Sequence, residues 1–128
     1  MGRLARVVAA LAVLAAGAVH LYLYAAQDYR NIHVIGPLFL LNGIASALIG
    51  LALVATANRV VVLLGIAYSA ATLVAFVVSA TSGLFGWKET WSGTAQAVAA
   101  FTEIGALILL VGLLVPYAAR KPARVGEG

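Results

Sequence analysis

The sequence predicts an all-α protein, a four-transmembrane-helix bundle with its N and C termini cytoplasmic. Three observations carry this: four apolar runs long enough to cross a bilayer, a very low charge content, and basic residues gathered at alternate breaks between the runs. The 128 residues are 64% hydrophobic and 9% charged, with a mean hydropathy of +1.07. A water-soluble domain has about 25% charged and 45–50% apolar residues, so this balance belongs to lipid. The chain has no cysteine, which excludes a disulfide framework, a thiolate nucleophile, Cys-ligated metal and a Cys lipid anchor. Its net charge of +4 is scattered between apolar runs rather than gathered into a stripe, which argues against a nucleic-acid partner.

The expected spans are residues 7–26, 38–57, 60–80 and 95–115, each near the roughly 20 residues that a bilayer requires. Pro37 suits the first turn of the second helix and Asn58-Arg59 a tight turn. Gly83, Gly86 and Gly93 are expected to loosen the third connection, and Pro116 to end the fourth helix. Strand-like alternation is absent, which speaks against a β-barrel. Residues 1–115 thus form the transmembrane domain, and residues 116–128 a short basic cytoplasmic tail, expected to be disordered from Arg120 to Gly128.

Direction follows from the excess of lysine and arginine in cytoplasmic segments. Arg3, Arg6, Arg59, Arg120, Lys121 and Arg124 fall on one side of a four-pass chain, and Arg30 and Lys88 on the other. Tyr22, Trp87 and Trp91 then fall at the outer interface, where amphipathic rings anchor helices. A rival reading takes residues 1–18 as a cleaved signal peptide ending in Ala16-Gly17-Ala18, but apolar sequence continues to Ala26, as in a retained helix.

An ionisable or amide side chain within a span points to function or to helix association, since an acid at the membrane centre costs at least ~2.5 kcal/mol. Counted at helical rise from the outer helix ends, His20 lies roughly 9 Å deep, Asn42 roughly 8 Å, and Thr72 and Glu103 roughly 12 Å. On helix three, Gly65, Tyr68, Ser69, Thr72, Ala75 and Ser79 recur on one face. Gln96, Ala99, Ala100, Glu103 and Ala106 share a face of helix four, Asn42, Ser46 and Gly50 one of helix two, and Gly17, His20 and Tyr24 one of helix one. Small residues permit close helix approach and polar ones need interhelical partners, so these faces are expected to point inward.

Two readings of the polar layer follow. In the first, His20, Asn42, Thr72 and Glu103 hydrogen-bond one another and set the register of the bundle, each contact contributing only ~0.6 kcal/mol. In the second they line a pocket open to the outer face, where Glu103, with His20 as partner, exchanges a proton or binds the head of a ligand such as a quinone. Haem is a further cofactor candidate through His20 and His33, although His33 falls in the connection before Gly36-Pro37. Asp28 with the two histidines matches no metal-ligand spacing, and Asp28 with Arg30 suits a solvated pair. The sequence has no G-x-S-x-G elbow, phosphate loop, G-x-G-x-x-G or H-E-x-x-H, so hydrolase, nucleotide and zincin chemistry have no support.

The stretches AGAVHLYLY, DYRNIHVIGPLFLLNGIASALIGLAL and TEIGALILLVGLL resemble a group of uncharacterised four-helix membrane proteins of high-GC actinobacteria, and six arginines to two lysines suit such a genome. More loosely, the chain is similar to the DoxX-like superfamily, in which a basic residue follows a glycine late in helix one, as His20 follows Gly17, though without the lysine found there. That resemblance implies a four-helix fold and an association with quinol oxidation. The expected function is an accessory or structural subunit of a plasma-membrane complex rather than an enzyme. The alternatives are a DoxX-like quinone-binding protein and a small proton-linked permease. The expected partners are the lipid bilayer and a membrane protein or a second copy of the chain.

Overall fold

A computed structural model describes residues 2–118. It is all-helical, with α1 at Arg3–Ala26, α2 at Ile35–Ala55, α3 at Arg59–Thr81 and α4 at Thr94–Ala118. All four are long and apolar enough to cross a membrane. The shortest, with 21 residues, measures about 32 Å at helical rise, slightly more than the ~30 Å hydrocarbon layer. The expected basic tail lies outside the described residues from position 119 onward.

Helix ends depart from the apolar boundaries for physical reasons. α1 begins four residues before the expected span, at Arg3, because a helix continues through charged residues that can reach the headgroup layer. Asn58 caps α3 by accepting a hydrogen bond from the Val60 N–H at 2.8 Å. Pro116, expected to end α4, lies inside its last turn. It removes one hydrogen bond, to the carbonyl of Gly112, and both residues are exposed there.

The connections sort the bundle into two ends. Tyr29, in a short 3₁₀ turn between α1 and α2, bonds Glu89 between α3 and α4, so both connections share one end. The chain start and the turn at residues 56–58 lie at the other. At this terminal end the core is apolar, made of Ala9, Ala10, Val13, Leu53, Val62, Ala106, Leu110 and Leu113. At the loop end Leu23, Tyr29 and Ile35 pack with Phe39 and Trp87. Large apolar side chains such as Leu41, Leu48, Leu51, Phe101 and Ile108 face outward, the arrangement suited to a lipid solvent.

The α1–α2 pair packs most extensively and α2 against α3 least among sequential helices. Glycines explain the close pair: Gly43 receives Leu21, Gly50 receives Leu14, and a Cβ at Gly17 would overlap the Ser46 side chain. Ser46 Oγ donates to the Val13 carbonyl at 2.8 Å across the same seam.

The third connection is built rather than loosened by its glycines. Leu84 and Trp87 exchange two backbone hydrogen bonds, of 2.7 and 2.9 Å, across Phe85-Gly86. Phe85 and Gly86 both have positive φ, 50° and 79°, the pattern of a type I′ turn. That turn holds Trp87 and Glu89 against the bundle.

Candidate functional site

The small and polar faces of the four helices converge in a layer between the two apolar cores, and part of this layer is satisfied within itself. Asn42 Nδ2 donates to Thr72 Oγ1 at 3.0 Å, Tyr68 OH donates to Asn42 Oδ1 at 2.7 Å, and Thr72 Oγ1 donates to the Tyr68 carbonyl at 2.9 Å. This triad bridges α2 and α3 where their packing is thinnest. Ser69, also in the layer, is fully buried, and its Oγ has no partner among the described residues.

His20 and Glu103 do not join the triad. Glu103 is 2% exposed, and neither of its carboxyl oxygens has a hydrogen-bond partner among the described residues. His20 Nδ1 lies 2.8 Å from the Ala16 carbonyl. A carbonyl can only accept, so Nδ1 carries a hydrogen and in the neutral ring the lone pair is left on Nε2. The imidazole is also held edge-on by Phe39, with ring centroids 4.8 Å apart.

Two cavities meet at this imidazole. The larger, a chamber of about 90 Å³, lies between α2 and α3 toward the loop end. Its walls are Ile35, Leu38 and Phe39 of α2 and Ala75 and Phe76 of α3, and its polar groups are His20, Thr72, Ser79 and Glu89. The smaller, of about 20 Å³, lies deeper and is bounded by His20, Thr72, Phe76, Ala99, Ala100 and Glu103. His20 and Glu103 are therefore separated by a cavity and do not bond directly.

A second polar cluster covers the chamber at the loop end. Tyr29 OH lies 2.7 and 2.9 Å from the two oxygens of Glu89 and donates to that carboxyl. Gln96 Nε2 donates to Tyr29 at 3.1 Å and to Glu89 at 3.2 Å, and the Thr90 N–H donates to Glu89 at 2.9 Å. The three side chains are each at least nine-tenths buried, so each bond forms in a low dielectric. Gly36 positions the cluster: a Cβ there would come within 2.8 Å of the Tyr29 and Arg30 carbonyls, so only glycine lets the first connection rest on the start of α2.

Burial, followed by the hydrogen bond to Glu89 and its charge, raises the Tyr29 pKa above the ordinary tyrosine range. A phenol whose folded-state pKa is raised contributes stability that is complete below about pH 10 and lost as pH climbs through the folded value. In a spectrophotometric titration Tyr29 is expected to ionise above the ordinary tyrosine range of about pH 10, as the late step that is lost in Tyr29→Phe. Gly36→Ala is expected to release the connection and return Tyr29 toward the ordinary tyrosine range. Ionisation of Tyr29 within the ordinary tyrosine range in the unaltered protein would contradict this cluster.

The remaining candidate residues are dispersed. Tyr22 is exposed and accepts from Gln27 Nε2 at 3.1 Å, and Trp91 is exposed and packs on Phe76. Trp87, expected at the interface, is half-buried and packs edge-on to Tyr29 with centroids 5.6 Å apart. Tyr24 is half-buried. His33 is exposed in the first connection and lines neither cavity, so the pair of axial ligands considered for haem is not brought together at His20. Asp28 and Arg30 form an exposed pair at 3.9 Å, worth at most about 1 kcal/mol. Tyr29 and Glu89 were missing from the sequence-based site. The signal that could have found them is an acid flanked by Trp87 and Trp91 in an otherwise apolar chain.

Fold and site together define a class: a four-helix protein whose helices are all long and apolar enough to cross a membrane, with a polar layer and a small chamber near one end. Comparison with protein-family models, curated proteins and solved structures gives no match.

Proposed function

We propose that the chain is a plasma-membrane protein, with its termini cytoplasmic, that holds the hydrogen-bonding head of a lipid-soluble aromatic molecule of the quinol or phenol class. It does so as an accessory component of a membrane complex. The observation that carries this reading is the chamber at His20. Its volume of about 90 Å³ is well below the roughly 300–1,000 Å³ of sites that enclose a whole drug-sized ligand. One ring fits between Phe39 and Phe76 while its tail stays in lipid, entering between α2 and α3. The Nε2 lone pair accepts the hydroxyl hydrogen, and the Tyr29–Glu89–Gln96 cluster covers the aqueous side.

The DoxX-like resemblance would put such a complex among redox assemblies. A purely structural role for the polar layer accounts for Asn42, Thr72 and Tyr68 but leaves Glu103 unexplained. A permease would need a polar route through the terminal end, where the core is apolar. Haem is disfavoured by the chamber's size and by the position of His33.

The test is anaerobic titration of the detergent-solubilised protein with a decyl-substituted benzoquinol, read by tryptophan fluorescence. Saturable binding is expected, weakened about tenfold in His20→Leu, the equivalent of one hydrogen bond. Non-saturable partitioning that is identical in the variant would sink the proposal.

A further inference from the structure

We infer that Glu103, His20 and the cavity between them form a proton-exchange site that opens toward the loop end only, with His20 linking the buried carboxyl to the chamber. A ligand hydroxyl would occupy the same Nε2 lone pair, so the exchange belongs to the ligand-free chamber and does not depend on what the chamber binds. The cavity's volume of about 20 Å³ exceeds the ~10–15 Å³ that one water occupies, and a buried water needs two to four polar partners. Three polar side chains line it: Glu103, Thr72 and His20.

The geometry supports a stepwise transfer. The carboxyl of Glu103 donates its hydrogen to the water, and the water donates one of its own to the Nε2 lone pair. One O–H bond of Glu103 is broken and one N–H bond of His20 is formed, with no change in electron count. Nδ1 keeps its hydrogen and donates it to the Ala16 carbonyl throughout, and the imidazolium then releases its Nε2 proton into the chamber. Reversal recharges Glu103 from the same side.

The ionisable groups around this path come from α1, α3, α4 and the third connection. α1 supplies His20, and α3 supplies Tyr68, whose hydroxyl is engaged by Asn42. The third connection supplies Glu89 across the chamber, and α2 contains no ionisable residue. Toward the terminal end, Val13, Leu53, Val62, Leu110 and Leu113 lie between Glu103 and Arg6. Proton exchange is therefore one-sided, which suits local proton storage rather than transport across the membrane.

The test is infrared spectroscopy of the protein in lipid nanodiscs on transfer from H2O to D2O, repeated across a pH titration. The Glu103 signal is identified by its loss in Glu103→Gln. Deuterium exchange of that carboxyl is expected to be fast in the unaltered protein and slower by roughly a hundredfold in His20→Leu, the low end of what a positioned acid–base group contributes. Should His20→Leu fail to fold, Ala100→Val, which fills the cavity without touching either ionisable group, is expected to slow exchange likewise. Unchanged exchange in the folded variant overturns the inference. So does a Glu103 group with no infrared change at any pH at which the bundle stays folded.

Discussion

Glu103→Met is expected to stabilise the bundle by about 1–3 kcal/mol against thermal or dodecyl-sulfate unfolding. Methionine matches glutamate in length and shape, so the packing around Ala106 and Ala99 should survive the exchange. What disappears is a buried carboxyl with both oxygens unpartnered among the described residues. An unsatisfied buried polar group costs about 1–3 kcal/mol, and its replacement by an apolar group of like shape is neutral to stabilising. One water in the neighbouring cavity offsets part of this cost and cannot satisfy the whole group. The same substitution should abolish the Glu103 infrared signal. Such a cost is the mark expected of a residue placed for chemistry rather than for packing. Loss of stability in Glu103→Met would mean that the carboxyl is bonded after all and acts as interhelical glue.

Gly17→Leu is expected to cost about 3 kcal/mol or more, beyond the usual range for overpacking because the obstacle is a helix seam. A Cβ at position 17 would overlap the Ser46 side chain, and Gly43 lies just behind it. Ser46 cannot turn away without giving up its bond to the Val13 carbonyl. α1 and α2 must therefore separate, and His20, one turn further along α1, moves with the seam and away from Phe39. Both stability and quinol binding should fall. Gly112→Leu is the control: a Cβ there meets nothing within 4 Å, so it is expected to change stability by only about 0.5 kcal/mol in either direction. Equal effects of the two substitutions would contradict the close-packed seam.

The four helices and their inward faces were legible in the sequence because both depend on short-range periodicity. Gly65, Ser69 and Ser79 recur at helical spacing and are buried in α3, while Val74, Val77 and Val78 between them face outward. What periodicity cannot give is the relative register of helices and the course of connections. His20 and Glu103 were placed at similar depth, but only the packed bundle separates them by a cavity the size of one water. Gln96 shares a face with Glu103 yet lies two turns nearer the loop end, where Tyr29 and Glu89 engage it. Those two partners sit in connections with positive-φ residues at Asp28, Val34 and Phe85, positions that residue type alone does not announce. Pro116 misled for a related reason: one missing hydrogen bond at an exposed helix end is too weak a break to stop α4.

The central claim, a lipid-soluble head bound at His20, is tested most directly by native mass spectrometry of the protein purified gently from its own membranes, beside Ala75→Phe, which fills the chamber wall. The account predicts one retained aromatic lipid-soluble molecule per chain, lost in Ala75→Phe while the bundle stays folded. Retention of bilayer phospholipid alone, in equal amount in both proteins, or of a partner polypeptide with no small molecule, would contradict it.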